Sequence, residues 1–193
     1  MVKLAYDVEI LRHCDSLEEW DHFVDISPQG CIFCRSWWLR AVCQNDFEIL
    51  TLRKGGRIVA GMPLPISCRF GYKIISMPPL TQTLGVLLGP PTSDKYEARL
   101  SKEMGVMNAL IEAIPKFNYF SMNFHYNFSN WLPFYWAGYK QTTRYTYAIE
   151  DLTDMDKVFS NLAHSKRKNI KKAEELVTVG TDLSAEEFYA NHA

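Results

Sequence analysis

Residues 47–67, FEILTLRKGGRIVAGMPLPIS, decide the fold. Two apolar arms, FEILTLRK and RIVAGMPLPIS, flank Gly55-Gly56, and a glycine pair accepts positive φ without a Cβ penalty. This spacing predicts two strands joined by a two-residue hairpin turn. YKIISM (72–77) follows as a third strand of the same meander.

Toward the N-terminus, YDVEILRH (6–13) reads as an opening strand. DSLEEWDHFVD (15–25) places Ser16 and Glu19 at capping-box spacing ahead of Trp20, Phe23 and Val24, so a helix follows directly. SPQG (27–30) breaks it, and SWWLRAVCQ (36–44) is predicted as a second helix. Toward the C-terminus, PPLTQTLGVLLGPP (78–91) is too rich in proline and glycine to be regular and is expected to be an ordered loop.

Tyr96, Leu100, Met104, Met107, Ile111 and Ile114 recur at helix spacing in the segment 95–116. NYFSMNFHY (118–126) alternates as a strand, with Phe120, Met122, Phe124 and Tyr126 on one face. NWLPFYWAGY (130–139) is a short helix closing at Gly138, and RYTYAIEDL (144–152) alternates again as a strand.

Met155, Val158, Phe159, Leu162, Ile170, Ala173 and Val177 predict one amphipathic helix of about six turns over 153–177, capped by Thr153 or Asp154. It carries SKRKNIKK, five basic residues in seven positions of a chain with a formal net charge of -1. VTVGTDL (177–183) predicts a short strand, and SAEEFYANHA (184–193) a helix with Ser184 and Glu187 at capping-box spacing.

At 193 residues, with 47% apolar and 22% charged content, the chain can bury a sizeable core, and a soluble globular protein is expected. Charge is balanced, so any anion site must be local. No segment has the apolar core of a signal peptide or the roughly 18 apolar residues of a membrane span, which reads as a cytoplasmic protein. Five cysteines, an odd number, argue against a disulfide framework. Cys31 and Cys34 form a CxxC, but no second close pair or HxxxH completes a zinc site, and the pair reads as two small apolar residues near a helix start. The histidines at 13, 22, 125, 164 and 192 are dispersed, so no motif supports a triad and the catalytic residues stay unassigned.

The order of elements resembles the GNAT acyltransferase fold, and FYWAGY (134–139) is similar to the FYxxxGF stretch of that superfamily. SWWLRAV, GGRIVAGMPLPI, MPPLTQTLGVLLGPP, GYKQTTRYTYAIEDL and SKRKNIKKAEE, in that sequence, look like the FemAB-type branch, the peptidoglycan bridge-forming aminoacyltransferases. The resemblance implies an α/β (α+β) fold with a mixed sheet flanked by helices, the first of two tandem GNAT-like domains. Residues 1–152 would form that domain. Residues 153–193 would supply the connecting helix and the beginning of the second domain, whose remainder would follow the end of this sequence.

Such proteins bind an acceptor mainly through the first domain and the acyl donor through the second. The resemblance therefore implies amide formation on an anionic, cell-envelope-related acceptor. Arg40, after the tryptophans of SWWLRAV, and Arg167, in SKRKNI, are the expected acceptor contacts, with Trp37 and Lys171 beside them. Gln82 and Thr81 offer amide and hydroxyl groups to a sugar or peptide. QTLGVL resembles the QxxGxG/A pyrophosphate loop, but Leu87 replaces the last small residue and LGPP cannot start a helix, so no CoA site is expected in this chain. The donor, aminoacyl-tRNA or acyl-CoA, would sit in the second domain, and the isolated chain would be inactive. Clustered lysines make tRNA a weak secondary partner. Two other readings stand beside this one: a non-catalytic module docking a second chain or copy through helix 153–177, and an acyl-CoA-dependent N-acetyltransferase.

Overall fold

The computed structural model describes residues 6–91, 93–149 and 151–192. It divides into two compact units, Met1–Gln141 and Thr142–Ala193.

The first unit is a mixed sheet flanked by helices. Strands β1 (Asp7–Arg12), β2 (Phe47–Lys54), β3 (Arg57–Arg69) and β4 (Tyr72–Ser76) run antiparallel in sequence order. β5 (Leu87–Leu88) pairs with β3, and β6 (Tyr119–Ser121) closes the row parallel to β4. The hairpin forms as the sequence predicts, with Lys54 opposite Arg57 and Gly55 and Gly56 at φ +58° and +77°. Between its pairings with β5 (residues 60 and 61) and β4 (residues 66–69), β3 is laddered only to β2 among the described residues. Pro63 and Pro65, which lack a donor, fall in that stretch.

Both faces of the sheet are covered, which explains the near-continuous apolar run in β2. Phe47 and Ile49 pack with Leu11, Trp20, Phe23 and Leu39 on the side of α1 (Glu18–Ile26) and α2 (Ser36–Cys43). Leu50 and Leu52 pack with Met62, Leu64, Val106, Leu110 and Phe134 on the side of α3 (Tyr96–Ala113) and α4 (Leu132–Trp136). Thr51, buried between them, satisfies its hydroxyl on the carbonyl of Glu9 at 3.1 Å.

Several expectations are corrected. The Ser16–Glu19 capping box does not form: α1 starts after Leu17 with no side-chain cap, and Glu19 makes a bidentate pair with Arg53 instead. A bidentate fork to a guanidinium outcompetes a single bond to a backbone N–H. In α3 the buried residues, Val106, Met107 and Leu110, all lie in its C-terminal half, whereas Tyr96 at its start is exposed. The strand at 118–126 is three residues long, although Phe124 still bridges to Leu84. The segment 78–91 is ordered as expected but contains β5 and buries Leu84, Val86 and Leu87.

The second unit holds α5 (Met155–Asn161), α6 (His164–Glu174) and α7 (Ala185–His192). The six-turn helix predicted over 153–177 is two helices, broken where Leu162 and Ala163 adopt extended ψ of 148° and 144°. Neither buries a residue, so no packed face holds the apolar stripe in one continuous register. Asp154 does cap α5, accepting from Lys157 N at 2.9 Å. The capping box of α7 also forms, with Ser184 N to Glu187 Oε2 at 3.0 Å and Glu187 N to Ser184 Oγ at 3.2 Å. The strands predicted at 144–152 and 177–183 are absent from the described residues, and Glu150 lies outside them. Tyr145 and Tyr147 are fully exposed, and no ladder among the described residues includes them.

Candidate functional site

The first unit carries an open cleft of about 420 Å³ where the end of α1, the 3₁₀ turn Ile32–Cys34 and the start of α2 converge. SPQG produces it: Gly30 lies so close to the end of α1 that a Cβ there would stand 1.8 Å from the carbonyl oxygen of Val24. The chain then reverses into the 3₁₀ turn, whose last carbonyl, that of Cys34, accepts from Trp20 Nε1 at 2.8 Å. Asp21 caps the next helix from across the chain, accepting from Ser36 N at 2.7 Å and Ser36 Oγ at 2.6 Å. The cleft wall presents Asp25, Cys31, Arg35 and Trp37. Arg35 is ion-paired with Asp25, and both remain partly exposed.

The segment 78–91 is tied to this region by side chains. Trp38 Nε1 donates to Thr81 Oγ1 at 3.0 Å, and Leu88 N donates to the buried Gln29 Oε1 at 3.0 Å. Cys31 Sγ lies 3.7 Å from Thr83 Oγ1 and 3.7 Å from Cys34 Sγ. The hydrogen bond from Cys34 pulls the Cys31 thiol down to about 6 against the opposing effect of burial, with Thr83 adding to it. Cys34 is pushed upward by the same bond and by its burial. The pair therefore yields its first proton at Cys31.

Trp37, half exposed, lines the cleft beside Arg35 and packs edge-on against Trp38. Arg40, one turn further along α2, reaches away to the carbonyl of His13 at 3.4 Å. Gln82 sits in the tied loop, its carbonyl facing Asn123 Nδ2 at 3.4 Å. Trp37, Arg40 and Gln82 thus lie on two segments that the Trp38–Thr81 bond joins. Arg167 and Lys171 belong to α6 in the second unit. Arg167 Nη1 donates to the carbonyl of Ser160 at 2.7 Å, and Lys171 is exposed in the last turn. That unit has its own open hollow of about 410 Å³, with Asp151, Asp154 and Lys157 on its wall. Burial holds His125 below the ordinary imidazole range. Among the described residues no group of three or more His, Cys, Asp or Glu side chains is placed to hold a metal, and no helix is long and apolar enough to cross a membrane.

No family model and no curated protein matches the chain. Among solved structures it is similar to an acetyltransferase of Trypanosoma brucei, at 16% identity over 75% of this chain and 99% of that one, with a TM-score of 0.41. Glucosamine-6-phosphate N-acetyltransferase from Arabidopsis thaliana matches at 12% identity over 75% and 99%, with a TM-score of 0.40. An aminoglycoside acetyltransferase from an uncultured soil metagenomic sample matches at 14% identity over 75% and 97%, also at 0.40. Likeness at this level assigns neither an activity nor a substrate.

Sequence reasoning passed over Arg35 and Asp25, which carry no motif, and set aside Cys31 and Cys34. The CxxC spacing was the available signal for the thiols. What the spacing lacked was the tertiary half of the arrangement: Trp20 closing the turn from behind and Thr83 approaching from a loop 52 residues away.

Proposed function

We propose that this chain serves acyl or aminoacyl transfer of the FemAB kind, forming an amide on an anionic, cell-envelope-related acceptor. The observation that carries the reading is the Trp38–Thr81 hydrogen bond, 3.0 Å long, which brings the SWWLRAV helix and the QTLG loop together. The segment that the family resemblance associates with the acceptor and a loop whose amide and hydroxyl groups suit a sugar or peptide are thereby neighbours, although 43 residues separate the bonded pair.

In such a reaction the acceptor amine attacks the carbonyl carbon of an ester or thioester donor, the alcohol or thiol departs, and the amine gives up a proton. Holding amine and carbonyl in line lowers the barrier by making the encounter effectively intramolecular. The residues of this chain supply the holding. Trp37 offers a flat apolar surface, Gln82 an amide, and Arg40 and Arg167 guanidinium groups suited to phosphate oxygens, with Lys171 adding charge. The donor, aminoacyl-tRNA or acyl-CoA, is held beyond these contacts. The exposed lysines of α6 give tRNA a salt-sensitive, non-specific attraction. The docking-module reading would present Met155, Phe159 and Leu162, which lie on α5 and at its C-terminal end.

Calorimetric titration of the protein with a diphosphate-bearing peptidoglycan precursor tests the reading. Arg40→Ala and Arg167→Ala are each expected to weaken binding about tenfold, equivalent to about 1.4 kcal/mol. Unchanged affinity in both variants overturns it. Product formation with acetyl-CoA but not with aminoacyl-tRNA would replace it with simple N-acetylation.

A further inference from the structure

Cys31 and Cys34 are arranged as a working dithiol. The two residues bracket the 3₁₀ turn that leads into α2, with their Sγ atoms 3.7 Å apart. Cys31 lines the open cleft and is only partly buried. Cys34 is 1% exposed and stands directly behind it, its backbone fixed by Trp20. A disulfide needs the sulfurs at about 2.05 Å, a closure of roughly 1.7 Å from the observed separation.

We propose that Cys31 and Cys34 form a redox-active pair that exchanges with low-molecular-weight disulfides such as glutathione disulfide, Cys31 attacking and Cys34 resolving. The Cys31 thiolate attacks one sulfur of glutathione disulfide, forming a mixed disulfide and expelling one glutathione thiolate. Cys34 then attacks the Cys31 sulfur, forming the Cys31–Cys34 bond, and its proton passes to the departing second glutathione thiolate. Two protein thiols lose two electrons and two protons, and one glutathione disulfide becomes two glutathione molecules.

The surroundings assign the roles. The hydrogen bond from Cys34 and the nearby Thr83 hydroxyl stabilise a thiolate at Cys31, the form that attacks. Cys34 is shielded from solvent, so an external disulfide cannot reach it first. Cys43 is a poor competitor, because burial and the Asp46 carboxylate push its thiol up to about 11. Cys14 and Cys68 are exposed, and their adducts are distinguished by peptide mapping. The chemistry is independent of acyl transfer.

The test incubates the wild-type protein in glutathione redox buffers, quenches with acid and maps peptides by mass spectrometry. An intramolecular Cys31–Cys34 disulfide, seen as the loss of two hydrogens, is the expected product. Cys34→Ser is expected to accumulate a glutathionyl group on Cys31, and Cys31→Ser to leave Cys34 unmodified. Alkylation of Cys31 by iodoacetamide should reach half its maximal rate near pH 6. The proposal is overturned if no Cys31–Cys34 disulfide forms in excess glutathione disulfide, or if Cys34 in Cys31→Ser reacts as fast as Cys31 in Cys34→Ser. The wild-type mapping does not depend on either variant folding.

Discussion

The indole N–H of Trp20 donates to the carbonyl oxygen of Cys34 across 2.8 Å, tying the first turn of α1 to the 3₁₀ turn ahead of α2. Both residues are withdrawn from water, so no solvent molecule replaces the bond when it is lost. Trp20→Phe keeps most of the apolar bulk but orphans the carbonyl. Its expected cost is about 1–3 kcal/mol for the unsatisfied acceptor, with a further contribution from the vacated volume. Urea denaturation checks this, and a midpoint equal to the parent's would show that the bond contributes nothing.

Gly61 sets how closely the sheet approaches that indole. A Cβ at position 61 would stand 2.5 Å from Trp20 Cζ3 and 3.1 Å from the carbonyl oxygen of Leu50. Because Trp20 is pinned through Nε1, its ring cannot swing aside cheaply. Gly61→Ala is therefore expected to destabilise by about 1–3 kcal/mol through overpacking, despite the better intrinsic strand tendency of alanine. Combining it with Trp20→Phe should recover part of that loss, since the smaller ring makes room. Additive melting-temperature decrements in the double variant would contradict this coupling.

The central meander was legible because its information is local: the glycine pair sets the turn, and apolar density sets the strands on either side. Helices α1 and α2 and the capping box at Ser184 were legible for the same reason. Residues 144–152 and 153–177 misled because alternation and periodicity report only what a segment can present to a partner. Tyr145 and Tyr147 stay exposed, neither α5 nor α6 buries a residue, and the helix breaks at Leu162. The cleft was illegible since its polar walls, Asp25 and Arg35, look like ordinary surface residues until the reversal at Gly30 brings them together.

Arg53 gathers charge from two elements. Its Nη atoms fork onto Glu19 at 2.8 and 2.7 Å, and its Nε donates to Glu9 at 2.6 Å. The Arg53 hydrogen bonds hold the Glu19 carboxyl below its usual value of 4.5. A depressed folded-state value means stabilisation that is complete above 4.5 and lost as pH falls through the folded value. Because Glu19 is half exposed, screening limits the effect to below about 1 kcal/mol. Glu19→Gln should lower the melting temperature slightly at pH 7, and the difference from the parent should shrink on acidification below 4.5. A gap that widens in acid would contradict the pairing.

Trp38 and Thr81 join α2 to the loop that carries Gln82. Replacing Trp38 with phenylalanine removes the donor and leaves Thr81 with its bond to the carbonyl of Pro79 at 3.0 Å. Amide hydrogen exchange across residues 80–86 should quicken severalfold, while exchange in β2 stays unchanged. If the loop is an acceptor wall, the same variant should weaken precursor binding although Trp37, Arg40 and Gln82 are intact. Faster exchange with unaltered affinity would restrict the tether to a structural role.

Arg167 has two claims on its guanidinium. Nη1 donates to the carbonyl of Ser160 at 2.7 Å, one of the end-of-helix acceptors of α5 that lack a helical partner. The remaining donors of the fork stay available for the phosphate contact proposed here. Arg167→Ala should therefore do two separable things: quicken amide exchange at 158–162 and weaken precursor binding about tenfold. Arg167→Lys distinguishes them, because an ammonium can still donate to one carbonyl but cannot make a planar, two-point contact with phosphate. The lysine variant is expected to keep slow exchange at the end of α5 and to lose most of the affinity. Affinity retained by both variants, with exchange altered only in the alanine form, would leave Arg167 as the clasp between α5 and α6 and remove it from the acceptor site.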